Sequence, residues 1–291
     1  MKLSIATCAT EQQITAGEKV FDPATGIRQC AEAGFSRIDF NFAKAAQKGD
    51  KPLTGDGYLD WAKAMRAVAD EAGVTAEQTH AHWFYIEDQS SPDVAWNMEM
   101  LRRSVEASAV MGDRPWVVTH PRSLAAAEGY NEKKTRRFLL DLYGELGDLA
   151  AKCGVRIAVE NLFPGGMRFF GCCPEDLLWL MEELNDPLFG ICWDFGHANR
   201  TKLDHVPALR AVAPYLRVTH VHDNKGVSDD HFMPYFGNIP WKEILPEVGR
   251  IGYTGNWNFE VHVFYHTMPQ SLRHQALRFL RETGEAMLAQ M

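Results

Sequence analysis

Four side chains that can bind a metal each follow a short apolar run in the second half of the sequence. They are Glu160, Asp194, His222 and Glu260. The apolar runs are typical of buried β-strands. In a parallel barrel, residues at the carboxyl ends of the strands meet at one face, where the chemistry takes place. Carboxylates and imidazoles bind divalent cations, so these four residues predict one metal site.

The three acids in this set need a positive partner if they are buried together. Two like charges about 4 Å apart repel by roughly 4 kcal/mol at an effective dielectric constant of 20. A divalent cation among them turns this repulsion into attraction. The alternative is that each acid forms a separate salt bridge with a lysine or arginine of a neighbouring strand. Because all three acids occupy equivalent positions at strand ends, we favour the metal.

Further polar and aromatic side chains follow the predicted strands and could orient a substrate or hold additional metal ions. Each taken singly is more typical of an ordinary core or loop residue. The predicted substrate-binding residues are His82, Trp83, His120, His197, Lys225, Asp229 and His231. Phe84 and Trp193 are further candidates for apolar walls, although core packing explains Trp193 equally well. His220 points to the same face as His222, and we expect it to be a buried, hydrogen-bonded core residue.

The elements that must position these residues alternate between short apolar runs and longer helical patterns. This alternation favours the α/β class with a parallel sheet. Leu139, Leu142 and Leu146 recur at helical spacing before Gly154, and Pro174 marks another helix start. A last helix is expected at about 271–288, with Leu272 on its inner side. The eight strand candidates are 2–8, 37–42, 77–83, 116–121, 156–161, 189–195, 216–223 and 257–263.

Eight such units predict a single (β/α)8 TIM-barrel domain over residues 1–291. A chain of 291 residues suits this fold, which typically takes about 250. The loop 161–173 combines Pro164-Gly165-Gly166 with Met167, Phe169 and Phe170, which favours either a lid or a surface loop that packs its own aromatic side chains.

The composition narrows the class of function. The formal net charge of −8 disfavours binding to nucleic acid. The six cysteines form no CxxC pair, and we expect them to be reduced in a cytoplasmic protein. Neither a signal peptide nor a membrane span is expected. No dinucleotide, P-loop or GxSxG motif appears.

At these residues the sequence resembles the xylose-isomerase-like TIM-barrel superfamily, which includes sugar phosphate isomerases and epimerases. The resemblance covers nearly the whole chain. Its motifs are Val159-Glu160-Asn161, Trp193-Asp194-Phe195-Gly196-His197, His220-Val221-His222-Asp223-Asn224, Phe259-Glu260-Val261 and the segment from Asp229 to Trp241. In that segment an Asp and a His precede a glycine turn and a Trp that starts the next helix, as in the family.

The resemblance implies a metal-dependent isomerase or epimerase of a ketose, keto-inositol or related sugar. One Mn, Co, Mg or Zn ion would be bound by Glu160, Asp194, His222 and Glu260, and the glutamates Glu160 and Glu260 would move a proton through an enediolate. The sugar epimerases tend to carry a substrate-binding arginine after His222, whereas this loop offers Lys225. The sequence leaves open whether the protein forms a homo-oligomer.

Two alternatives follow from the same resemblance. A dehydratase or lyase could use the same site, with loss of a β-hydroxyl instead of proton return. Endonuclease IV, a relative with three zinc ions, has ligand types matched here by nine residues, so additional zinc has to be considered. The matching residues are His82, His120, Glu160, Asp194, His197, His222, Asp229, His231 and Glu260.

Overall fold

The predicted apolar runs form the strands of a parallel barrel. The computed structural model describes residues 1–15, 18–84, 92–121, 125–126, 129–164 and 169–291. Each of the eight strand candidates overlaps one strand of an eight-stranded parallel sheet, although the third and the eighth strand begin two residues and one residue earlier than predicted. The strands are β1 (Lys2–Ala6), β2 (Arg37–Asn41), β3 (Thr75–His80), β4 (Trp116–Thr119), β5 (Arg156–Glu160), β6 (Phe189–Asp194), β7 (Leu216–His220) and β8 (Asn256–Phe259).

The strands follow one another around the barrel in sequence order, and β1 also pairs with β8. The remaining junction, between β7 and β8, is made beyond the end of β7. There the Val221 amide donates a hydrogen bond to the Asn258 carbonyl at 2.8 Å. The Glu260 amide donates to the Val221 carbonyl at 3.1 Å. This junction fixes the backbone of Glu260 beside that of His220 and His222, so the predicted (β/α)8 TIM-barrel fold is confirmed.

The described residues contain ten α-helices. Gly154 ends α4 in the left-handed conformation with φ of 74°, as its position after the apolar repeat predicted. Pro174 begins α5. The helices are α1 (Pro23–Glu32), α2 (Tyr58–Ala72), α3 (Pro92–Met111), α4 (Glu132–Cys153), α5 (Pro174–Leu184), α6 (Phe195–Arg200), α7 (His205–Val212), α8 (Trp241–Arg250), α9 (His262–Thr267) and α10 (Arg273–Leu288).

Short elements that the sequence analysis did not predict complete the fold. Two antiparallel hairpins pair Gln12–Thr15 with Glu18–Phe21 and Ala125–Ala126 with Gly129–Tyr130. The 3-10 turns are Thr7–Ala9 and Gln270–Leu272. The expectation that Leu272 faces inward is wrong: it is 48% exposed because it lies in the 3-10 turn, before the α-helical repeat of α10 begins.

Buried apolar side chains form two clusters. A cluster of buried side chains comes from four neighbouring strands and comprises Trp116, Val118, Ala158, Cys192 and Val218. A larger core comprises most of the other buried apolar residues. Among the described helices, none is both long enough and apolar enough to cross a membrane.

Candidate metal centre and active site

Three carboxylates from separate strands converge at the carboxyl end of the barrel. Glu160 ends β5, Asp194 ends β6 and Glu260 follows β8 directly. They are 1%, 0% and 9% exposed, respectively. Together with His220 they offer four ligand atoms that lie within 4.8 Å of one another. The structure therefore brings together the three acids that the sequence analysis had assigned to the metal.

Two imidazoles flank this carboxylate set. The Nδ1 atom of His220 lies 3.0 Å from Glu160 Oε1 and 3.5 Å from Glu260 Oε2. The Nε2 atom of His222 lies 3.1 Å from Asp194 Oδ1. His220 is fully buried and hydrogen-bonded, yet it also belongs to the four-residue group, whereas His222 contacts the group from the side of Asp194. The assignment of His222 as the metal ligand stays a prediction.

A second layer of histidines surrounds the Glu160 carboxylate. His80 and His120 approach its Oε2 atom at 3.3 and 3.1 Å. His197 lies 3.4 Å from Oε1. The sequence analysis assigned no role to His80, which ends β3, and predicted His82, two residues further on, as a substrate-binding residue. The side chain of His82 instead forms a 2.7 Å hydrogen bond with Asn97.

The loop after β7 adds a second cluster beside the carboxylate set. Asp229 Oδ2 lies 3.0 Å from His231 Nε2 and 3.6 Å from His197 Nε2. The ring of His231 stacks on that of His222 with centroids 4.0 Å apart. His222, Asp229 and His231 form one group with metal-ligand spacing, and Asp194, His197 and His222 form another.

The electrostatics of the site couple acids to imidazoles. Burial acts to raise the pKa of Glu160, but His220 and His120 outweigh it and hold the pKa well below its usual range. Burial acts to lower the pKa of His197, whereas Asp194 and Asp229 raise it well above its usual range. Burial also acts to lower the pKa of His231, but Glu260 and Asp229 outweigh it and raise this pKa to about 9. Without a cation, protonated imidazoles therefore compensate the carboxylates.

A carboxylate that the sequence analysis missed positions His220. Asp39, on β2, is fully buried. Its Oδ2 atom accepts hydrogen bonds from His220 Nε2 at 3.0 Å, Gln78 Nε2 at 2.7 Å and Asn258 Nδ2 at 3.2 Å. The sequence contains a signal that could have identified Asp39, since this acid lies between Ile38 and Phe40 in an apolar run. Such a residue is buried only when its charge is paired.

Asn161 links two of the strands that carry ligands. Its side chain donates a hydrogen bond to the Asp194 carbonyl at 2.9 Å and accepts one from the Asp194 amide at 2.6 Å. The backbone carbonyl oxygen of Asn161 lies 2.7 Å from His197 Nδ1. The side-chain amide thus continues the pairing of β5 and β6 beyond their last residues and fixes the direction of Asp194.

The aromatic residues that were predicted to line a substrate site separate into two kinds. Trp83 is 40% exposed and its ring stacks on His120 with centroids 5.8 Å apart. Phe84 and Trp193 are 6% and 0% exposed. Trp193 is therefore a core residue and is too deeply buried to contact a sugar. Lys225 is exposed at the loop after β7.

The proposed lid is described only in part, because residues 165–168, with Gly165, Gly166 and Met167, lie outside the described residues. Phe170 is fully buried and packs edge-on against Trp179. Phe163 contacts the ring of His197 with centroids 4.8 Å apart. In the described part of this loop the aromatic side chains therefore pack against the fold, and the lid stays a prediction.

The donor set fits a divalent metal ion. Carboxylate oxygens with imidazole nitrogens suit Mn, Co or Zn, and oxygen-rich sites also suit Mg. One oxygen of Asp229, Oδ1, is buried without a hydrogen-bond partner although it faces His222 Nε2 at 3.9 Å. Within the described residues, Glu160, Asp194, Asp229 and Glu260 form ion pairs with histidines, which release a proton readily on metal binding.

Comparisons with known proteins agree with this architecture. Residues 27–283 match the family described as the xylose isomerase-like TIM barrel. The uncharacterized protein y4fM of Sinorhizobium fredii is 24% identical, over 99% of this chain and 97% of its own length. A ketose 3-epimerase of Arthrobacter globiformis is 25% identical, over 80% of this chain and 75% of its own length.

The same fold recurs in solved structures. The crystal structure of D-psicose 3-epimerase in the presence of D-fructose superimposes with a TM-score of 0.74 and 15% identity, over 99% of both chains. At this identity the likeness concerns the fold alone. Since the family match spans most of the sequence, the chain belongs to the xylose isomerase-like TIM-barrel family.

Proposed function

We propose that the protein is a divalent-metal-dependent isomerase or epimerase that acts on a ketose, a keto-inositol or a related sugar. The observation that carries this proposal is the convergence of Glu160 and Glu260, from different strands, on the same buried site as Asp194. The similarity to a ketose 3-epimerase over most of both chains supports the same class of substrate.

Glu160, Asp194, Glu260 and the imidazole of His222 or His220 would hold the ion. It would polarise the substrate carbonyl and stabilise negative charge on the neighbouring oxygens, which acidifies the adjacent C–H. This chemistry needs a base on the carbon to be deprotonated and an acid that returns the proton.

The two glutamates provide these groups. His220 and His120 hold the pKa of Glu160 well below its usual range, so this residue is a carboxylate at neutral pH. Glu260 is the most accessible of the three carboxylates, at 9% exposed. One glutamate removes the proton next to the carbonyl, and the other returns one. Return to the opposite face of the same carbon gives epimerisation, and return to the neighbouring carbon gives isomerisation.

Neighbouring side chains would position the sugar. His120, His197, Asp229 and His231 surround the carboxylate set and can bond to hydroxyl groups. The half-exposed Trp83 ring beside His120 offers an apolar wall for the sugar ring. His82 and Lys225 stay predictions as substrate-binding residues.

Hydrogen exchange tests the proposal directly. The metal-loaded protein is incubated with a panel of ketoses and inososes in D2O, and deuterium at the carbon next to the carbonyl is followed by NMR. We expect exchange or epimer formation with at least one substrate. Glu260→Gln should abolish it while leaving a folded barrel, and Glu182→Gln, exposed on α5, serves as the matched control. Full turnover by Glu260→Gln would contradict the assignment of that residue.

Two other reactions can be separated by their products. A dehydratase on the same site would release water from the sugar instead of an epimer. The additional groups around His80, His197 and Asp229 favour, as a second candidate, an endonuclease IV-like site that cleaves a phosphodiester with several zinc ions. It predicts about three zinc ions per chain and cleavage of abasic-site DNA. One ion per chain and no cleavage would dismiss it.

A further inference from the structure

A cavity of about 630 Å³ opens at the amino ends of the barrel strands. It is lined by the first residues of β4, β5 and β7 and by the turn that precedes β8. Arg156 starts β5, and Glu160 ends it. Four residues of strand span about 13 Å, so the cavity and the carboxylate set lie at opposite ends of the barrel. Ala158, between them along β5, belongs to the apolar cluster that β4, β5, β6 and β7 share.

The cavity is strongly basic. Arg114, Arg156 and Arg217 line it, and the lining residues, all of them described, include neither Asp nor Glu. Burial lowers the pKa of Arg156, and the charges of Arg114 and Arg217 lower it further. Glu77 raises the pKa of Arg156, but the Glu77 carboxylate is already paired with Arg37 at 2.6 Å. Three arginines therefore line the cavity, with no acidic group among the lining residues.

The arginines are held in place by contacts that do not neutralise them. The Arg156 guanidinium lies over the Trp116 ring, 4.3 Å from its centroid, and donates to the Arg114 carbonyl at 2.7 and 3.1 Å. Arg217 Nη1 donates to the carbonyls of Pro214 and Leu216 at 3.1 and 2.9 Å. Carbonyl contacts fix the positions of the Arg156 and Arg217 guanidinium groups and leave their formal charges uncompensated.

We propose that this cavity binds a small, multiply charged oxyanion, such as a compound with a diphosphate or several carboxylates. Guanidinium groups match the planar geometry of phosphate and carboxylate oxygens and bind them through paired hydrogen bonds. The volume is within the range of about 300–1,000 Å³ that is usual for small-molecule sites. The site is remote from the carboxylates, so it is independent of the function proposed above.

Calorimetric titration with inorganic pyrophosphate, and in parallel with citrate, tests this site. We expect saturable binding by the wild-type protein that weakens with salt. Arg156→Gln and Arg217→Gln should each weaken it about tenfold or more, because each removes charge-assisted hydrogen bonds. Arg278→Gln, an exposed arginine of α10, is the matched control and should bind as the wild type does. Circular dichroism shows whether each variant is folded.

Glu260→Gln separates this site from the metal centre. An oxyanion bound at the basic cavity should bind to this variant with unchanged affinity. Stronger binding of pyrophosphate than of citrate identifies a phosphate compound as the ligand class, and the reverse order identifies a polycarboxylate. The proposal is overturned if the wild type binds neither anion, if Arg217→Gln and Arg156→Gln both bind as Arg278→Gln does, or if Glu260→Gln abolishes binding.

Discussion

Asp223 is the residue whose replacement should most disturb the loop that carries Asp229 and His231. It is fully buried beyond the end of β7. Its carboxylate accepts four hydrogen bonds from N–H groups, at 2.8 to 3.2 Å. Oδ1 accepts from the amides of Asn224 and Ile239, and Oδ2 accepts from the Tyr235 amide and from Trp241 Nε1.

The substitution Asp223→Asn keeps the shape of this residue but removes one acceptor. Whichever way the new amide turns, its NH2 group faces two N–H donors that the carboxylate had satisfied. Hydrogen bonds to a charged group contribute about 1.5–3 kcal/mol each, so the loss of two costs roughly 3–6 kcal/mol. The loop cannot relax freely, because a Cβ atom at Gly237 would lie 2.1 Å from Asp223 Oδ1.

Urea unfolding followed by circular dichroism measures this loss. We expect a free energy of unfolding that is lower by about 3 kcal/mol or more for Asp223→Asn. Asp230→Asn removes the same charge from a partly exposed position of the same loop and should change it by about 0.5 kcal/mol or less. If the two variants unfold at the same urea concentration with the same slope, Asp223 does not organise this loop and the reasoning is refuted.

Two further predictions concern close packing and burial. In Gly196→Ala, the new Cβ would lie 2.0 Å from His222 Cε1, so the imidazole must move, and we expect metal affinity measured by titration to fall about tenfold or more. Gly144→Ala has open space around it on α4 and should leave metal affinity unchanged; equal affinities of the two variants would count against a role for His222. Burial raises the pKa of Glu11 from 4.5 to about 7, against the opposing effect of Lys44. Its folded-state pKa is above the unfolded value, so the native state binds the extra proton and loses stability as pH rises from about 4.5 to 7. Glu11→Gln should therefore unfold at higher temperature than the wild type at pH 8 and at a similar temperature at pH 4, and an equal difference at both pH values would contradict this.

The barrel could be predicted because each parallel strand is buried on both faces and reads as an apolar run. The residue at the end of such a run is then placed at the carboxyl face by topology alone. Glu160, Asp194 and Glu260 are close to one another for this reason. Their proximity could be predicted without any information about the loop structures.

Contacts that depend on side-chain direction could not be predicted in the same way. The sequence analysis placed His82 near the end of a third strand that continues to residue 83, whereas β3 ends at His80. The pairing of β2 with β3 also shifts register between Ile38 and Asp39. A shift of one residue exchanges the faces of a strand. Such an irregularity leaves no mark in the sequence.

In the loop after β7, a sequence motif predicted structure although the residues show no helical or strand periodicity. Residues 221–240 contain no extended helix or strand. The resemblance nevertheless indicated a Trp that starts the next helix, and Trp241 begins α8. The reason is physical, since Asp223 needs the Trp241 indole as one of its four donors. Asp229 and His231 lie between Asn224 and Tyr235, which both donate to the Asp223 carboxylate.

The account depends on a divalent ion bound by the converging carboxylates. Titration of the metal-free protein with Mn²⁺, followed by electron paramagnetic resonance, measures this binding directly. We predict a tight site for the wild type, with a stoichiometry near one ion per chain. Glu160→Gln should lose at least about 1.4 kcal/mol of binding free energy, a factor of ten, whereas the exposed Glu182→Gln should bind as the wild type does. A wild-type protein that leaves Mn²⁺ free in solution, or a Glu160→Gln variant that binds it equally tightly, would contradict the account.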